Sequence, residues 1–410
     1  MPGTSELPSG APIRLDQEFY QDAHSVDARV RTEGPARPVL MPDGRPGWLV
    51  TSYSEARALL TDPRLSKDAR GVAKVLPPGL EGAFASPLMA NMLFSDPPDH
   101  TRLRRLVSKA FTSRAIERLR PRIGQAADEL LEALSGGVPV DLIDGYALPL
   151  PVIVICDLLG VPASDRAAFR EWTLGFVTDL LPDAEDKAVI GMRISEYLSA
   201  LINAKRDNPG DDLLSGLAHV ADEEDRLSQG EILSMAFLLL TAGFETTVNL
   251  IANGVLALVQ HPDQLALVRS DPSLLPGAVE EFLRYESPVH VATERFTTEP
   301  VRVGETEIPA GQLVHISVLA ANRDGARFTE PDRLDITRQP AGHLTFGHGI
   351  HHCIGAPLAR LEAEIAIGRL LARFPGLALA SDAGPLRWHD STLMHGLRSL
   401  PVRLTVASQP

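Results

Sequence analysis

The most apolar stretch of the chain, residues 228–262, limits the folds that this sequence can adopt. Ser228 and Glu231 have the spacing of a capping box, which begins a helix, and His261-Pro262 ends it. The helix between them has about 32 residues and a length of roughly 48 Å at 1.5 Å per residue. Because a helix so long and so apolar must be covered on most sides, we predict that it crosses the middle of the protein.

The remaining pattern predicts a mainly helical fold with small peripheral sheets. Helical periodicity runs from about residue 54 to 284, and short extended segments follow it. Strands are predicted at 39–41 and 48–52, joined by a turn at Pro42-Asp43-Gly44, and at 301–303, 314–318 and 401–406. No internal repeat or Ser/Gly linker divides the chain. We therefore expect one α+β domain, residues 13–410, behind a flexible leader, residues 1–12.

Composition and charge exclude several classes of protein. The formal net charge of −14 gives no reason to expect nucleic acid or an anionic membrane as a partner. Two cysteines exclude a disulfide framework and fit a reducing cytosol. The uninterrupted apolar run at 232–244 is shorter than the ~20 residues that span a bilayer, and residues 1–12 lack the regions of a signal peptide. We expect a cytoplasmic protein without a membrane segment.

A glycine-rich segment, Phe346 to Gly355, contains one of the two cysteines. Its sequence is Phe-Gly-His-Gly-Ile-His-His-Cys-Ile-Gly, and a helix-forming run begins at Ala356. Glycines let backbone approach a flat ligand closely, and a helix N-terminus favours negative charge. Cys353 is therefore expected to be biased toward thiolate, the form that binds metal. Cys156 lies in an apolar run and is predicted to be core packing.

The centre of the long helix, residues 242–246, is unusually small and polar. Four residues at helical spacing share one face: Leu239, Ala242, Gly243 and Thr246. Thr246 can bond back to the Ala242 carbonyl and bend the helix. The segment alone leaves two interpretations open. One is a packing glycine with Glu245 pointing outward; the other is a groove for a small ligand, with an acid and an alcohol that handle protons.

Residues 99–111 form a basic amphipathic helix. His100 and Arg104 border its apolar arc, and a cation there needs an anion nearby because isolated buried charge is costly. The opposite side carries three further cations: Arg102, Arg105 and Lys109. Such a trio is most often a solvated face. In a protein of charge −14 it is also a local positive patch suited to an acidic partner.

Together these segments resemble the bacterial cytochrome P450 family of soluble haem-thiolate monooxygenases, over essentially the full length after the leader. Segment 346–355 matches the haem loop of that family at every fixed position, and 242–246 matches its oxygen-activation motif. Glu281 and Arg284 match the ExxR pair, and Arg333 resembles the third member of that structural triad. The resemblance implies the P450 fold with haem b (iron protoporphyrin IX) as cofactor.

The resemblance also implies roles for individual residues. Cys353 is the expected axial iron ligand, and Glu245 with Thr246 resemble the acid–alcohol pair that delivers protons during oxygen activation. The haem propionates are expected at His100, Arg104, Arg295 and His351. Further cofactor contacts are expected at Ala242, Phe346, Gly347 and Gly355.

The expected substrate pocket is mostly aliphatic. By resemblance it is lined by Leu88, Met92, Phe94, Phe176, Val177, Leu180, Leu239, Ala242, Val289, Val291, Leu393 and Met394. These residues favour a sizeable apolar molecule: a polyketide or macrolide, a terpenoid, a steroid or a xenobiotic. The overall sequence resembles actinobacterial members of the family that act in secondary metabolism. This resemblance favours hydroxylation or epoxidation of a polyketide or macrolide in antibiotic biosynthesis.

We expect electrons to come from NAD(P)H through a ferredoxin or flavodoxin and its reductase, docking near Arg102, Arg105 and Lys109 on a monomeric enzyme. A peroxygenase of the same fold typically lacks the Glu-Thr pair, and non-catalytic binding modules have degraded proton-delivery motifs. A zinc site is a further alternative, formed from His343, His348, His351, His352 and Cys353. Zinc sites usually have well-spaced ligands, often with several thiolates. A zinc site would also leave the small, polar centre of the long helix without an explanation.

Overall fold

The computed structural model describes residues 12–405, apart from 77–83, 85, 135–138, 178–183, 221–224, 340–341 and 381–383. All of the expected leader except Pro12 lies outside the described residues. The helices contain far more residues than the short strands, so the prediction of a mainly helical fold with small sheets is confirmed.

The helices of the described residues are, in chain order, α1 Glu18–Gln21, α2 Ala23–Thr32, α3 Tyr53–Leu59, α4 Ala69–Val75, α5 Asp99–Ala110, α6 Ser113–Glu117, α7 Arg120–Ala133 and α8 Pro149–Leu159. They continue with α9 Arg166–Val177, α10 Ala184–Asp207, α11 Leu213–His219, α12 Gln229–Gln260, α13 Pro262–Ser270, α14 Leu275–Tyr285, α15 Val318–Ala321 and α16 Ala356–Arg373. The basic amphipathic segment is α5, and the helix predicted after the glycine-rich loop is α16.

The strands are β1 Ile13–Arg14, β2 Arg37–Leu40, β3 Pro46–Val50, β4 Leu65–Ser66, β5 Pro139–Asp141, β6 Phe296–Thr297, β7 Val301–Val303, β8 Thr306–Ile308, β9 Val314–Ile316, β10 Ala378–Leu379 and β11 Pro401–Arg403. The largest sheet has the order β1-β2-β3-β9, and smaller sheets pair β10-β11-β5, β4-β6 and β7-β8. The predicted hairpin is β2–β3, which pairs Val39 with Gly47 in antiparallel register. Gly44 makes its turn with a φ of 83°, a backbone conformation that favours glycine.

Helix α12 has the predicted position at the centre of the fold. The Ser228 hydroxyl accepts from the Glu231 N–H (3.3 Å), and the Glu231 carboxylate accepts from the Ser228 N–H (2.8 Å), which completes the capping box. The helix packs against α8, α10, α14 and α16. By length and composition alone it could cross a membrane, which the short apolar run did not indicate. However, 72% of its most apolar window is buried inside the protein, as in a core helix.

The structural triad contains a different third residue from the one that the sequence suggested. Within α14 the Arg284 guanidinium makes two hydrogen bonds of 2.8 Å to the Glu281 carboxylate, and both side chains are buried. Arg338 completes the group, because its Nε lies 3.2 Å from Glu281 Oε1. Arg333 instead turns its side chain to the surface, where it pairs with Glu330. Only the Arg333 carbonyl reaches the triad, as an acceptor for Arg284 (3.2 Å).

Candidate active site

A cavity of about 570 Å³ lies between the middle of α12 and the loop that precedes α16. Its walls are largely apolar, with polar groups gathered in a few places. Leu239, Ala242, Glu245 and Thr246 of α12 form one wall, and Phe346, Gly347, Cys353 and Gly355 lie opposite them. The structure therefore brings together the two segments that carried most of the chemistry in the sequence.

The loop around Cys353 is shaped by its glycines. Gly347 and Gly349 have φ angles of 72° and 76°, which other residues rarely adopt. The Cys353 N–H donates to the Phe346 carbonyl (2.9 Å), which closes the loop before α16 begins at Ala356. Cys353 lies deep in the protein but keeps accessible surface, because its side chain contributes to the cavity wall.

The expected bias of Cys353 toward thiolate is wrong for the polypeptide alone. Burial raises the pKa of the Cys353 thiol and outweighs the opposite effects of the Gly355 and Ala356 N–H groups and of Arg104. Coordination to a metal ion deprotonates a thiol outright, so the neutral thiol of the chain is compatible with a metal-ligand role. Cys156 is buried in α8, as predicted.

The α12 wall decides between the two interpretations of segment 242–246. A methyl group on Gly243 would meet Ile155 at 3.7 Å, an ordinary contact distance, so close packing does not require glycine there. Glu245 lies on the cavity wall and is half-buried, so it does not simply point outward. The Thr246 hydroxyl donates to the Ala242 carbonyl at 2.8 Å, as predicted. The geometry favours a ligand groove beside an acid and an alcohol.

A cluster of cationic and imidazole side chains lines one part of the cavity. It contains the four residues expected at the propionates, His100, Arg104, Arg295 and His351. The His100 and His351 rings lie 4.3 Å apart between centroids, and Arg104 donates to the His352 carbonyl (2.7 Å). Lys67, which the sequence analysis missed, lines the same cavity and is almost fully buried. No local pattern marks it, since it follows a two-residue strand in a polar stretch.

The electrostatics of this cluster fit an anionic ligand. Burial lowers the pKa of Arg295 to about 10, and burial together with Lys67, His100 and the two arginines lowers the pKa of His351 to about 2. Burial and Arg104 lower the pKa of His100, and neither of its ring nitrogens has a hydrogen-bond partner among the described residues. Carboxylates placed here would offset the repulsion among these basic groups and could accept hydrogen bonds from them. The residues present therefore fit the two propionates of haem.

Most of the expected substrate contacts lie on the cavity wall: Met92, Phe94, Leu239, Ala242, Val289, Leu393 and Met394. Leu180 and the side chains of Phe176 and Val177 lie outside the described residues.

Two expected substrate contacts do not lie on the cavity wall of this structure. Leu88 packs against the main core, and its neighbour Met89 lines the cavity in its place. Val291 belongs to the core beneath the largest sheet and bridges Ser317. Its segment forms isolated bridges rather than a continuous strand, so the alternation that would put Val289 and Val291 on one face does not hold.

The histidines near Cys353 do not form a zinc site. His343 pairs with Glu280 at 3.2 Å, and the His351 ring lies tilted against the His100 ring. Among the residues that the structure describes, the one group of metal-ligating side chains that converges is His24, Glu286 and His395, and it does not include Cys353.

The three cations on the outer side of α5 are not equivalent. Arg102 is half-buried and forms ion pairs with Asp225, at 3.1 Å, and with Glu231. Arg102 is therefore not a solvent-facing cation, although the sequence pattern predicted that it would be. Arg105 and Lys109 are exposed, as predicted.

One cavity thus brings together a cysteine, a wall of small residues beside an acid and an alcohol, and a cluster of basic side chains. This arrangement fits a haem-thiolate site. A family model described as "Cytochrome P450" matches residues 172–381. Vitamin D(3) 25-hydroxylase of Pseudonocardia autotrophica is 51% identical over 387 residues, covering 94% of each chain. 6-Deoxyerythronolide B hydroxylase of Saccharopolyspora erythraea is 45% identical over 404 residues, covering 96% of this chain and 98% of the relative.

Solved structures agree with these relatives. The tirandamycin C-bound P450 monooxygenase TamI matches with a TM-score of 0.88 at 51% identity, covering 96% of this chain and 100% of that one. The chain belongs to the cytochrome P450 family. It is a haem-containing monooxygenase.

Proposed function

We propose that this monooxygenase inserts one oxygen atom from O2 into a sizeable apolar molecule of the polyketide or macrolide class, in secondary metabolism. The observation that carries the proposal is the largely apolar cavity of about 570 Å³ beside Cys353, within the size range of small-molecule sites. A relative named for 6-deoxyerythronolide B and a similar structure bound to tirandamycin C support this substrate class. The reaction type is hydroxylation or epoxidation.

In the proposed site Cys353 would hold the haem by binding its iron through the sulfur. Haem held by a thiolate supplies the activation of dioxygen, because the thiolate donates electron density that favours O–O cleavage. The propionates would be held by His100, Arg104, Arg295 and His351, which all lie on the cavity wall. Phe346, Gly347, Gly355 and Ala242 are close enough to the cavity to border the macrocycle.

Glu245 and Thr246 are the proposed proton-delivery pair. Both lie on the cavity wall, and the Thr246 hydroxyl is oriented by its hydrogen bond to the Ala242 carbonyl. Glu245 can take a proton from solvent and pass it toward that hydroxyl, which is the task of a general acid. An intact pair favours an O2-dependent monooxygenase over a peroxygenase and over a binding module without catalysis.

The proposed electron donor is an acidic ferredoxin or flavodoxin, reduced by NAD(P)H through its reductase. Arg105 and Lys109 on α5 are exposed cations on the helix that also supplies His100 and Arg104 to the cavity, so a partner there would lie close to the cofactor. Arg102 lies on the same helix, but its guanidinium is held in ion pairs with Asp225 and Glu231. We propose a cytoplasmic monomer.

The substrate class is tested by titrating the purified ferric protein with macrolactones, linear polyketides, secosteroids and terpenoids, and following the Soret band. We expect the largest high-spin shift and the lowest dissociation constant with a polyketide or macrolactone, and a product heavier by one oxygen atom when ferredoxin, reductase and NADPH are added. Tightest binding and turnover with a secosteroid would instead favour the second candidate, a steroid-type hydroxylase. The 51% identity to vitamin D(3) 25-hydroxylase supports that candidate.

A further inference from the structure

Lys67 is a buried basic residue that has no role in the proposed function. It follows β4, its side chain lines the cavity, and the residue is 1% exposed. Its ammonium lies within hydrogen-bond distance of the Thr293 hydroxyl and 5.7 Å from the centre of the Phe94 ring. A lysine ammonium has three N–H donors, so one neutral hydroxyl does not satisfy it. Thr293 and Phe94 also line the cavity.

The acidic groups near Lys67 are engaged elsewhere. Asp96 accepts hydrogen bonds from the Ser66 hydroxyl and from the backbone N–H of Lys67, not from its ammonium. The Glu294 carboxylate binds Arg45 at 2.7 Å. Burial, reinforced by the nearby Arg295 guanidinium, lowers the pKa of Lys67 well below its ordinary value. The protein alone therefore gives this amine little stabilisation as a cation.

The surroundings of Lys67 indicate what would stabilise it. Lys67, His100, Arg104, Arg295 and His351 share one cavity, and the charges of the other four disfavour protonation of His351. Buried charge of one sign is costly unless an opposite charge lies beside it. A ligand that brings two carboxylates to this part of the cavity would meet a fifth basic group, Lys67, besides the four expected contacts.

We propose that Lys67 is a fifth contact for the haem carboxylates and that it positions Phe94 beside the cofactor. The inference rests on the proposed haem site. Its ammonium would donate one charge-assisted hydrogen bond to a propionate, keep its bond to Thr293, and remain near the face of the Phe94 ring. Lys67 would thus connect the cofactor to a residue of the substrate pocket.

The test compares haem release from the ferric holoenzyme to an excess of apomyoglobin in wild type, Lys67→Met, Lys67→Gln and Lys67→Arg. Methionine and glutamine remove the charge, and glutamine keeps a donor for Thr293; arginine keeps the charge. Lys74→Met is the matched control, because Lys74 is an exposed lysine in α4, seven positions further on. We expect release about tenfold faster in the Met and Gln variants, within about threefold of wild type for Arg, and unchanged for Lys74→Met.

A second measurement separates a contact with haem from a general loss of stability. Removing a cation beside a propionate should shift the haem reduction potential to more negative values in Lys67→Gln, whereas Lys67→Arg should keep the wild-type potential. If Lys67→Met fails to fold, the Gln and Arg variants carry both measurements. Release rates and potentials equal to wild type in Lys67→Gln would overturn the inference. A wild-type protein that binds no haem would instead overturn the proposed function on which it rests.

Discussion

The position and partners of a single side chain in this protein depend on distant neighbours as much as on local sequence. Arg333 and Arg338 both follow α14, and both are arginines in a polar turn region. Arg338 reaches the buried Glu281 carboxylate, whereas Arg333 pairs with Glu330 at the surface. Which arginine completes the triad depends on how the chain folds between residues 328 and 338, and a motif of fixed spacing does not contain that information.

The two arginines give a matched pair of variants. Arg338→Gln leaves the buried Glu281 with Arg284 as its remaining charged partner, and also removes the hydrogen bonds from Arg338 to the Thr329 and Glu330 carbonyls. We expect a loss of about 1.5–3 kcal/mol in unfolding free energy, measured by chemical denaturation of the holoenzyme. Arg333→Gln breaks an ion pair whose side chains are more than half exposed and should cost less than about 0.5 kcal/mol. Equal losses would contradict the assignment of Arg338.

The secondary-structure elements that could be predicted from the sequence are those that depend on local rules. The capping box and apolar run predicted α12, and the turn residues predicted β2–β3, because caps and tight turns depend on neighbours in sequence. Lys67 was not predicted, since its role depends on residues near 94, 293 and 351 that only the folded chain brings to it. The position of Val291 in the core, away from the cavity wall, was not predicted for the same reason: its direction depends on a bridge to a distant segment.

A histidine–carboxylate network joins α2 to two later segments and makes stability depend on pH. His24 and His395 both lie within 2.8 Å of Glu286 Oε1, at 2.8 and 2.6 Å, and Trp388 stacks on His395 at 3.9 Å. Burial lowers the pKa of His395 to about 4. The unfolded chain therefore takes up a proton at His395 below its ordinary pKa of 6.5, whereas the folded chain does so near 4.

Stability should consequently be lost as the pH falls from about 6.5 to 4. Above and below that window, the titration of His395 should leave the stability unchanged. The loss from His395 is at most on the order of 3 kcal/mol, because each unit of pKa difference is worth about 1.4 kcal/mol. The measurement is the thermal midpoint of wild type and His395→Gln between pH 4 and 8. The variant should be less stable at pH 8 but show a shallower decline. Parallel curves for both proteins would rule out His395 as the source.

The whole molecule carries a net charge of −14, so its long-range field repels an acidic electron donor. Docking of such a partner must then depend on a local excess of positive charge. Arg105 and Lys109 provide exposed cations on α5, the helix whose other face supplies His100 and Arg104 to the cavity. One helix thus carries two of the basic residues of the cavity, His100 and Arg104, together with the exposed cations, and a partner at this surface would be near the cofactor that it is proposed to reduce.

Arg105→Glu tests this arrangement by stopped-flow reduction of the ferric enzyme with reduced ferredoxin. We expect a rate constant about tenfold lower at low salt and a difference that shrinks above ~0.3 M salt, because exposed charges mainly steer encounter and are screened. Arg302→Glu on β7 is the control: Arg302 is also exposed, and its substitution changes the net charge by the same amount. If both variants slow reduction equally, total charge and not the α5 surface governs the encounter. If neither does, the docking proposal fails at this face.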